Sequence, residues 1–279
     1  MRPLRSLLLI LLLPSLAWGD ITTNLTLWWP LDTGSGTTAT AGAGTSITGT
    51  LVNTPTWETA GNCRISACLG FNGSTQRITS TSLLADVIGV SAGTLTLWAF
   101  PTAAGTAQSA TYELNLLFGD SNEFAGLYQG NPSSAGEGFW AYNWDSGDDR
   151  VGTTYTLNTW IHLAWVHGGG QLKIYKDGAF VAQTASANTN YLLGTMRAAN
   201  FESDPTYFAG RLDEIKGWQR ALVDADILEE FQRATVATAP RRRPLQWSWW
   251  QALPLPKWTY AWYRDWWYAR ASAHLKGRR

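Results

Sequence analysis

Short apolar runs separated by turn-forming residues fill most of the chain. Between residues 21 and 207, segments rich in Thr, Val, Leu, Trp and Tyr are interrupted by clusters of Gly, Asn, Ser and Pro. From Leu25 to Leu31 every second residue is apolar, and segments 160–167 and 172–175 follow the same pattern. A period of two is typical of a strand that buries one face. Many such strands, with almost no helical periodicity, predict an all-β antiparallel sandwich or barrel.

Local signals predict one hairpin and one helix. The dipeptide Asp177-Gly178 is a tight-turn sequence between two apolar runs. The segment Asp224–Ala234 carries an apolar stripe, and its first residue has a side chain suited to cap the first turn. We therefore expect a single short helix at the C-terminal end of the β domain.

Composition and charge exclude several classes of protein. The 279 residues are 45% hydrophobic and 15% charged. A chain of this kind can bury a sizeable core, which excludes an intrinsically disordered chain, collagen and a miniprotein held by disulfides alone. The net charge is zero, but residues 240–279 hold nine Lys/Arg and one acid, whereas residues 20–239 hold ten and twenty. The acidic body argues against a nucleic-acid partner.

The first nineteen residues have the pattern of a secretory signal peptide. Arg2 and Arg5 precede an apolar run at 7–13, and small residues follow at 17–19. The apolar run is too short to span a membrane, which takes roughly 20 residues. We expect cleavage near Asp20 and a secreted protein, either extracellular or periplasmic.

Cys63 and Cys68 are the two cysteines of the chain. An oxidising compartment favours a short local disulfide between them. A buried pair of free thiols is the alternative. Two thiolates are too few for a tetrahedral zinc site.

A different kind of segment follows the predicted helix. Residues 239–279 contain seven of the 17 tryptophans, several prolines and most of the excess basic charge. Basic and aromatic side chains together suit the interface of an anionic membrane or lipopolysaccharide. Prolines and bulky aromatic residues also favour an extension that is disordered in isolation. We place the β domain at 20–238 and the basic, Trp-rich tail at 239–279.

Four stretches in order carry a family resemblance. They are LWWPLDTGSGTTATAGAGTSITGTLVNTPTW, LGFNGSTQRI, LNTWIHLAWVHGGGQLKIYKDGAFV and FAGRLDEIKGWQRAL. Together they resemble the laminin-G-like jelly rolls of the concanavalin A-like lectin and glucanase superfamily over about residues 24–234, which implies two antiparallel sheets. Gly217 and Val223 depart from the family pattern, which more often has a branched apolar residue and a Ser or Thr helix cap there.

The superfamily includes glycoside hydrolases, but catalytic signals are weak in this sequence. The Glu-x-Asp-x-Glu pattern that would place carboxylates on one face of a strand is absent. The acidic residues within 224–230 fall on the predicted helix, where we expect a solvated face. His162 and His167 lie within one packed strand pattern, which gives little support for a Ser-His-Asp site. His162 is expected to be a hydrogen-bonded histidine in or near the core.

The resemblance implies a structural calcium ion held by carboxylates and backbone carbonyls. Asp213 in GRLDEI is the carried-over ligand, and Asp32 in the LDTGSG turn is the second candidate. The alternative is that Asp213 accepts hydrogen bonds from backbone N–H groups and pins the closing strand.

An aromatic row is the candidate ligand-binding feature. Trp140, Tyr142 and Trp144 alternate along one predicted strand and share a face, where they suit stacking on sugar rings. Asp145 follows and offers a carboxylate to sugar hydroxyls. In the opposite orientation the row points into the core, with Phe139, Ala141 and Asn143 outside.

These features predict a secreted, non-catalytic, lectin-like module that binds a glycan or a cell-surface protein. A glycoside hydrolase or lyase of the same superfamily is one alternative. The other is an adhesion or envelope protein whose body binds a protein while the tail contacts an anionic surface.

Overall fold

The computed structural model describes residues 20–105, 114–122, 125–130, 136–144, 148–185, 194–200 and 206–238. The predicted signal peptide, the tail and Asp145 lie outside these residues, as do the side chains of Trp144 and Asp148. The described residues belong to one compact unit, which ends at Thr238.

The described residues form sixteen strands and two helices. In chain order they are β1 (Leu25–Trp29), β2 (Thr38–Ala39), β3 (Gly49–Val52), β4 (Thr56–Glu58), β5 (Cys68–Asn72), β6 (Arg77–Leu83), α1 (Ala85–Ile88), β7 (Gly93–Pro101), β8 (Leu114–Asp120), β9 (Ala125–Gly130), β10 (Gly138–Trp144), β11 (Asp148–Thr153), β12 (Ile161–Gly168), β13 (Gln171–Lys176), β14 (Ala179–Ala185), β15 (Thr195–Ala198), β16 (Ala209–Trp218) and α2 (Asp224–Thr238).

The strands build two antiparallel sheets, so the predicted two-sheet sandwich is confirmed. Sheet A has the order β14-β13-β12-β7-β16-β5-β4, with β1 also paired to β16. Sheet B has the order β11-β10-β9-β8-β15-β6-β3-β2. The predicted hairpin joins β13 to β14 through Asp177 and Gly178, whose φ angles of 51° and 80° are those of a tight hairpin turn.

The main core lies between the sheets. Alternate residues of each strand enter it, for example Leu97 and Trp165 from sheet A and Phe118 and Phe139 from sheet B. Trp29 of β1 meets Phe118 edge to face at 5.6 Å, which links the two sheets through one aromatic contact.

Helix α2 covers part of the outer face of sheet A. A second apolar cluster forms there between strand residues such as Tyr175 and Trp218 and the helix residue Ile227. The helix is one turn longer than predicted. Asp224 was predicted to cap it, but its carboxylate accepts a hydrogen bond from the Tyr175 hydroxyl at 2.7 Å. Asp226 instead accepts the Val223 N–H at the helix start.

The family departure at Gly217 has a packing cause. Helix α1, which the sequence did not predict, places Val87 directly over this position. A Cβ added at Gly217 would lie 2.3 Å from Val87 Cγ1. A branched residue there is incompatible with the seating of α1.

Candidate functional site

Trp140 and Tyr142 of the aromatic row lie on the outer face of sheet B, the face turned away from the main core. Phe139 and Ala141 are fully buried in the core between the sheets. Tyr142 belongs instead to a separate cluster, against which Trp140 packs. Because successive side chains alternate, β10 has its core residues at odd positions and its aromatic residues at even positions. Of the two orientations, the structure shows the outward one.

Of the two aromatic side chains of this row that the structure describes, Trp140 is the accessible one. Its Nε1–H donates to the carbonyl of Gly130 at 2.9 Å, which fixes the indole against the sheet. The ring lies face-on over Gly152 of β11, where an added Cβ would come 2.5–2.7 Å from three ring atoms. Glycine at 152 is what allows this close approach. The indole remains partly exposed.

Tyr142 is positioned differently from the expectation of an exposed stacking residue. It is only 7% exposed and meets Tyr128 edge to face at 5.5 Å, with Leu116 completing the cluster. Its own carbonyl accepts a hydrogen bond from the Trp165 indole across the core. Tyr142 therefore supports the surface that Trp140 presents. Across the ladder it lies opposite Arg150 of β11, which is partly exposed.

The remaining members of the predicted ligand set are known only from the backbone. Trp144 ends β10 in register with Asp148 of β11. Asp145 follows, outside the described residues. Ligand binding by Trp140, Tyr142, Trp144 and Asp145 stays a prediction.

A second group of predicted residues meets near the disulfide loop. Cys63 and Cys68 form the disulfide, with Cα atoms 5.4 Å apart. Asp213 Oδ2 accepts the backbone N–H groups of Arg64 and Ile65 at 3.1 and 2.9 Å, and Asp32 Oδ1 accepts that of Ala67 at 3.2 Å. Both carboxylates thus hold the loop that the disulfide closes.

The two carboxylates offer oxygen ligands for a cation, but the described side chains do not form a complete ligand set. Asp213 is fully buried, and its Oδ1 has no hydrogen-bond partner among the described residues. Burial raises the pKa of Asp213 to about 9, with a further increase from the charges of Glu214 and Asp32. Within the described ranges, no group of three or more His, Cys, Asp or Glu side chains converges on one point. Backbone carbonyls would have to supply most ligands of a calcium ion.

A buried charge network between β16 and α2 was not predicted. Lys216 Nζ contacts Glu214 at 2.8 Å and Glu230 at 2.6 Å, over the ring of Trp28 at 5.1 Å. Trp28 Nε1–H also donates to Glu214. Burial acts to lower the pKa of Lys216, but the two carboxylates together raise it, so the lysine stays charged. The network lines a cleft of about 300 Å³.

The expected solvated acidic face of α2 is therefore wrong in part. Glu229 and Glu230 are buried, because Arg233 and Lys216 neutralise them. The feature of the sequence that indicates this network is the pair Asp213-Glu214 within an alternating strand. Two consecutive acids break the period, and the structure has a bulge there with Glu214 at φ 51°.

The expectation that His162 lies in or near the core is confirmed, but the expected hydrogen bonding of its side chain is incomplete. His162 and His167 are 1% and 2% exposed. His162 Nδ1 has no hydrogen-bond partner among the described residues.

Comparison with protein families and curated proteins gives one family match. A family model described as "Concanavalin A-like lectin/glucanases superfamily" matches residues 72–228, more than half of the chain. No curated protein is significantly similar to the chain.

Solved structures of low sequence identity share the fold. Domain 4 of AbnA, an extracellular GH43 arabinanase from Geobacillus stearothermophilus, is 16% identical with a TM-score of 0.53, over 74% of this chain and 97% of that domain. The binding domain of Paraclostridial Mosquitocidal Protein 1 is 13% identical with a TM-score of 0.59, over 77% and 53%. A Trypanosoma rangeli sialidase mutant is 12% identical with a TM-score of 0.55, over 77% and 34%. The chain thus spans about half of the toxin domain and a third of the sialidase.

Proposed function

Because the chain belongs to the concanavalin A-like lectin/glucanase superfamily, we propose that it is a secreted, non-catalytic module that binds carbohydrate on the outer face of sheet B. The observation that carries the proposal is the partly exposed Trp140 ring, held face-on over Gly152. An accessible aromatic face stacks on the apolar face of a sugar ring. Arg150 lies two residues from Gly152 on the same strand face and supplies hydrogen-bond donors for hydroxyl groups.

A structural relative supports the ligand class. Domain 4 of AbnA was solved in complex with arabinotriose. Since the chain covers nearly all of that domain, the shared part is the fold of a whole carbohydrate-bound domain. The proposal carries this ligand class, and not arabinose itself, over to the present chain.

The arrangement of Glu214 and Glu230, two of the three carboxylates that line the cleft beside Trp28, supports the proposed absence of catalysis. A glycoside hydrolase needs a protonated acid and a free carboxylate on either side of the scissile bond. Glu214 and Glu230 face each other, but Lys216 lies between them and bonds both. A hydrolase or lyase is the alternative, because an arabinanase and a sialidase are among the proteins with this fold. Release of reducing ends from a polysaccharide panel would establish it.

A protein ligand is the second candidate. The binding domain of botulinum neurotoxin DC, 11% identical to this chain, was solved in complex with rat synaptotagmin II. In this case the body would bind a cell-surface protein while the basic tail contacts an anionic membrane or lipopolysaccharide. Replacing Arg241, Arg242 and Arg243 by Gln in the full chain tests the tail. Loss of co-sedimentation with vesicles containing phosphatidylglycerol supports that role, and unchanged co-sedimentation contradicts it.

Secretion and calcium complete the proposal. The disulfide supports an oxidising compartment. No helix in the described part of the chain is both long and apolar enough to span a bilayer. For calcium, the buried Asp213 Oδ1 is the supporting observation.

The test is retention of the full chain on immobilised polysaccharides, with Trp140→Ala and Trp160→Ala as a matched pair. Trp160 is also partly exposed, but it contacts Phe100 of sheet A. We expect Trp140→Ala to lose retention while its melting temperature stays near that of the wild type, and Trp160→Ala to keep both. Equal retention of the two variants contradicts the site. A stability loss of about 3–5 kcal/mol in Trp140→Ala would identify a core residue instead.

A further inference from the structure

A polar cleft lies on the outer face of sheet A, on the opposite side of the sandwich from the proposed carbohydrate site. It has a volume of about 210 Å³ and is lined by residues of β4, β5 and β16. Strand register places Arg211 of β16 beside Gly70 of β5, and Gly70 beside Thr56 of the edge strand β4. Leu69 and Leu212, their neighbours along the chain, enter the main core, so Gly70 and Arg211 face away from it. Gly70 is partly exposed and Thr56 is exposed, so the cleft is open to solvent.

The Arg211 guanidinium has hydrogen-bond donors available in this cleft. Its Cζ lies 4.8 Å from the centre of the Phe100 ring, which holds the group against the sheet. Its Nε is 3.8 Å from the Glu58 carboxylate, a distance too long for a hydrogen bond. Among the described residues, these are the two charge and ring contacts of the Arg211 side chain. A ligand can therefore reach guanidinium N–H groups that the described part of the chain does not use.

Glu58 provides a hydrogen-bond acceptor beside the guanidinium. Its Oε2 accepts a hydrogen bond from Asn62 Nδ2 at 2.8 Å, which orients the carboxylate. Its Oε1 is the oxygen that faces Arg211, and both charged side chains are 23% exposed. At Gly70 an added Cβ would lie 3.2 Å from this Oε1. Glycine at 70 therefore leaves room for the carboxylate above the sheet and keeps the cleft open.

The turn after β5 forms one wall of the cleft and is held by its own hydrogen bonds. Asn72 Oδ1 accepts the backbone N–H groups of Ser74 and Thr75, both at 3.0 Å. Gln76 Oε1 accepts the Asn72 N–H at 2.8 Å, and Gln76 Nε2 donates to the carbonyl of Thr54 at 2.8 Å. This wall is ordered before a ligand arrives, which lowers the entropic cost of binding.

From this arrangement we infer that the cleft binds one neutral sugar residue, with Arg211 donating to its oxygens and Glu58 accepting from its hydroxyl groups. The inference goes beyond the proposed site on sheet B and rests on the proposed function for the carbohydrate class of the ligand. A hydroxyl group both donates and accepts, so neighbouring hydroxyls of one sugar can bond to an arginine and a carboxylate that lie side by side.

The charge and size of the cleft favour a neutral, single-ring ligand. An anion that approaches Arg211 also meets the negative charge of Glu58, and a cation that approaches Glu58 meets Arg211. A neutral polyol meets no such repulsion. The volume of about 210 Å³ is below the roughly 300–1,000 Å³ of common ligand pockets, which limits the ligand to about one ring.

The cleft and the face of sheet B should therefore bind different parts of a glycan. A cleft for one ring accepts the terminal residue of a chain, whereas the partly exposed Trp140 indole can stack on an internal residue. An immobilised polysaccharide presents few chain ends. Its retention should therefore depend on Trp140 and not on Arg211.

The experiment follows the full chain by NMR during titration with the methyl glycosides of arabinofuranose, galactose, glucose, mannose and xylose. We expect at least one of them to shift the Gly70 amide and the Arg211 side-chain N–H signals, with equal affinity at low and high salt because the ligand is neutral. Arg211→Gln and Glu58→Gln should each weaken this binding by about tenfold or more. Lys173→Gln is the matched control, since it removes a partly exposed cation from the same face of sheet A, three strands from β16.

Gly70→Ala tests the cleft without changing its charges. The new methyl group would lie 3.2 Å from Glu58 Oε1 on the floor of the cleft, so glycoside binding should be lost. Melting temperatures of all variants near that of the wild type would show that a loss of binding is not a loss of fold. This is the expected result for Arg211 and Glu58, because a partly exposed ion pair contributes little stability.

Several results would overturn the inference. If no methyl glycoside moves the Gly70 and Arg211 signals, or if Lys173→Gln weakens binding as much as Arg211→Gln, the cleft is not a sugar site. Tighter, salt-sensitive binding of galacturonate would assign the cleft to an anion, and tighter binding of glycine would assign it to an amino acid.

The outcome for the cleft is separable from the outcome for the proposed function. Retention on polysaccharide that is lost in Trp140→Ala supports the site on sheet B even when no glycoside enters the cleft. Glycoside binding that is lost in Arg211→Gln but kept in Trp140→Ala supports the cleft even when retention does not depend on Trp140.

Discussion

Phe231 on helix α2 stacks on Trp98 of strand β7, with ring centroids 5.5 Å apart and planes inclined by 26°. His162 lies against both rings, at 5.2 Å from Trp98 and 5.9 Å from Phe231. Arg64 also lies over Trp98, with its Cζ 4.3 Å from the ring centroid. Helix α2 therefore packs on an aromatic contact that also encloses the His162 imidazole. Because the Arg64 guanidinium lies next to this contact, a positive charge on the imidazole is disfavoured.

This contact predicts an acid-sensitive fold. Burial lowers the pKa of His162 from 6.5 to about 4, so between these values the unfolded state binds a proton that the folded state does not. The stabilisation is fully present above pH 6.5 and is lost as the pH falls through about 4, on the order of 3 kcal/mol in all. Urea unfolding of wild type and His162→Gln across this window measures it. Parallel stability curves for the two proteins would rule out the histidine as the cause.

Asp213 predicts the opposite pH slope in calcium-free buffer. Burial raises its pKa from 3.8 to about 9, so the folded state holds a proton that the unfolded state has released by neutral pH. Its contribution is full below pH 3.8 and is lost as the pH rises through about 9. Asp213→Asn, which keeps an oxygen for the loop N–H groups, should remove this loss. An unchanged slope would show that Asp213 is ionised in the folded state.

Calcium binding at the same residue is tested by chelation. If Asp213 Oδ1 coordinates the ion, a calcium chelator lowers the melting temperature of the wild type and leaves that of Asp213→Asn unchanged. Added calcium should stabilise more at pH 9 than at pH 6, because the ion competes with the proton. A wild-type melting temperature that responds neither to chelator nor to calcium argues against the site.

The Lys216 network predicts that replacing Lys216 destabilises the protein far more than replacing Arg233. Lys216→Met leaves Glu214 and Glu230 buried without their shared cation and should cost about 3–5 kcal/mol. Arg233→Met also breaks an ion pair, with Glu229, but the Arg233 side chain is 45% exposed. It should cost about 1 kcal/mol or less. Chemical denaturation gives both values, and similar losses would mean that the network is solvated.

Because Val87 of helix α1 packs directly over Gly217, any side chain at position 217 is predicted to clash with it. Gly217→Ala should destabilise the protein by about 1–3 kcal/mol, because the new methyl group overlaps Val87. Gly61→Ala is the control, since an added Cβ there has no atom within 4 Å. The double variant Gly217→Ala with Val87→Ala should lose less than the sum of the two single losses. Strict additivity would place the strain elsewhere.

Sequence alone predicted the strands and the sandwich because both depend on local alternation and on turn residues such as Asp177-Gly178. It also placed Trp140 and Tyr142 on one face of a strand. The sequence did not show whether this face points into the core or away from it, because a period of two is the same in either orientation. The answer depends on the neighbours of β10, whose register brings Gly152 and Gly126 beside the aromatic residues.

Contacts between distant parts of the chain were the ones that sequence reasoning missed. The partners of Lys216 include Glu230, which belongs to a helix on a separate segment. Asp213 accepts the backbone N–H groups of Arg64 and Ile65, which lie 149 and 148 residues earlier in the chain. Such arrangements are set by strand order, which hydrophobic periodicity does not encode.

The most direct test of the carbohydrate site follows NMR signals of the full chain while it is titrated with an oligosaccharide of the polysaccharide that retains it best. We expect the largest shifts on the outer face of sheet B, at the Gly152 amide and the Trp140 indole N–H. Shifts concentrated on α2 and the outer face of sheet A, with these signals unmoved, would contradict the site.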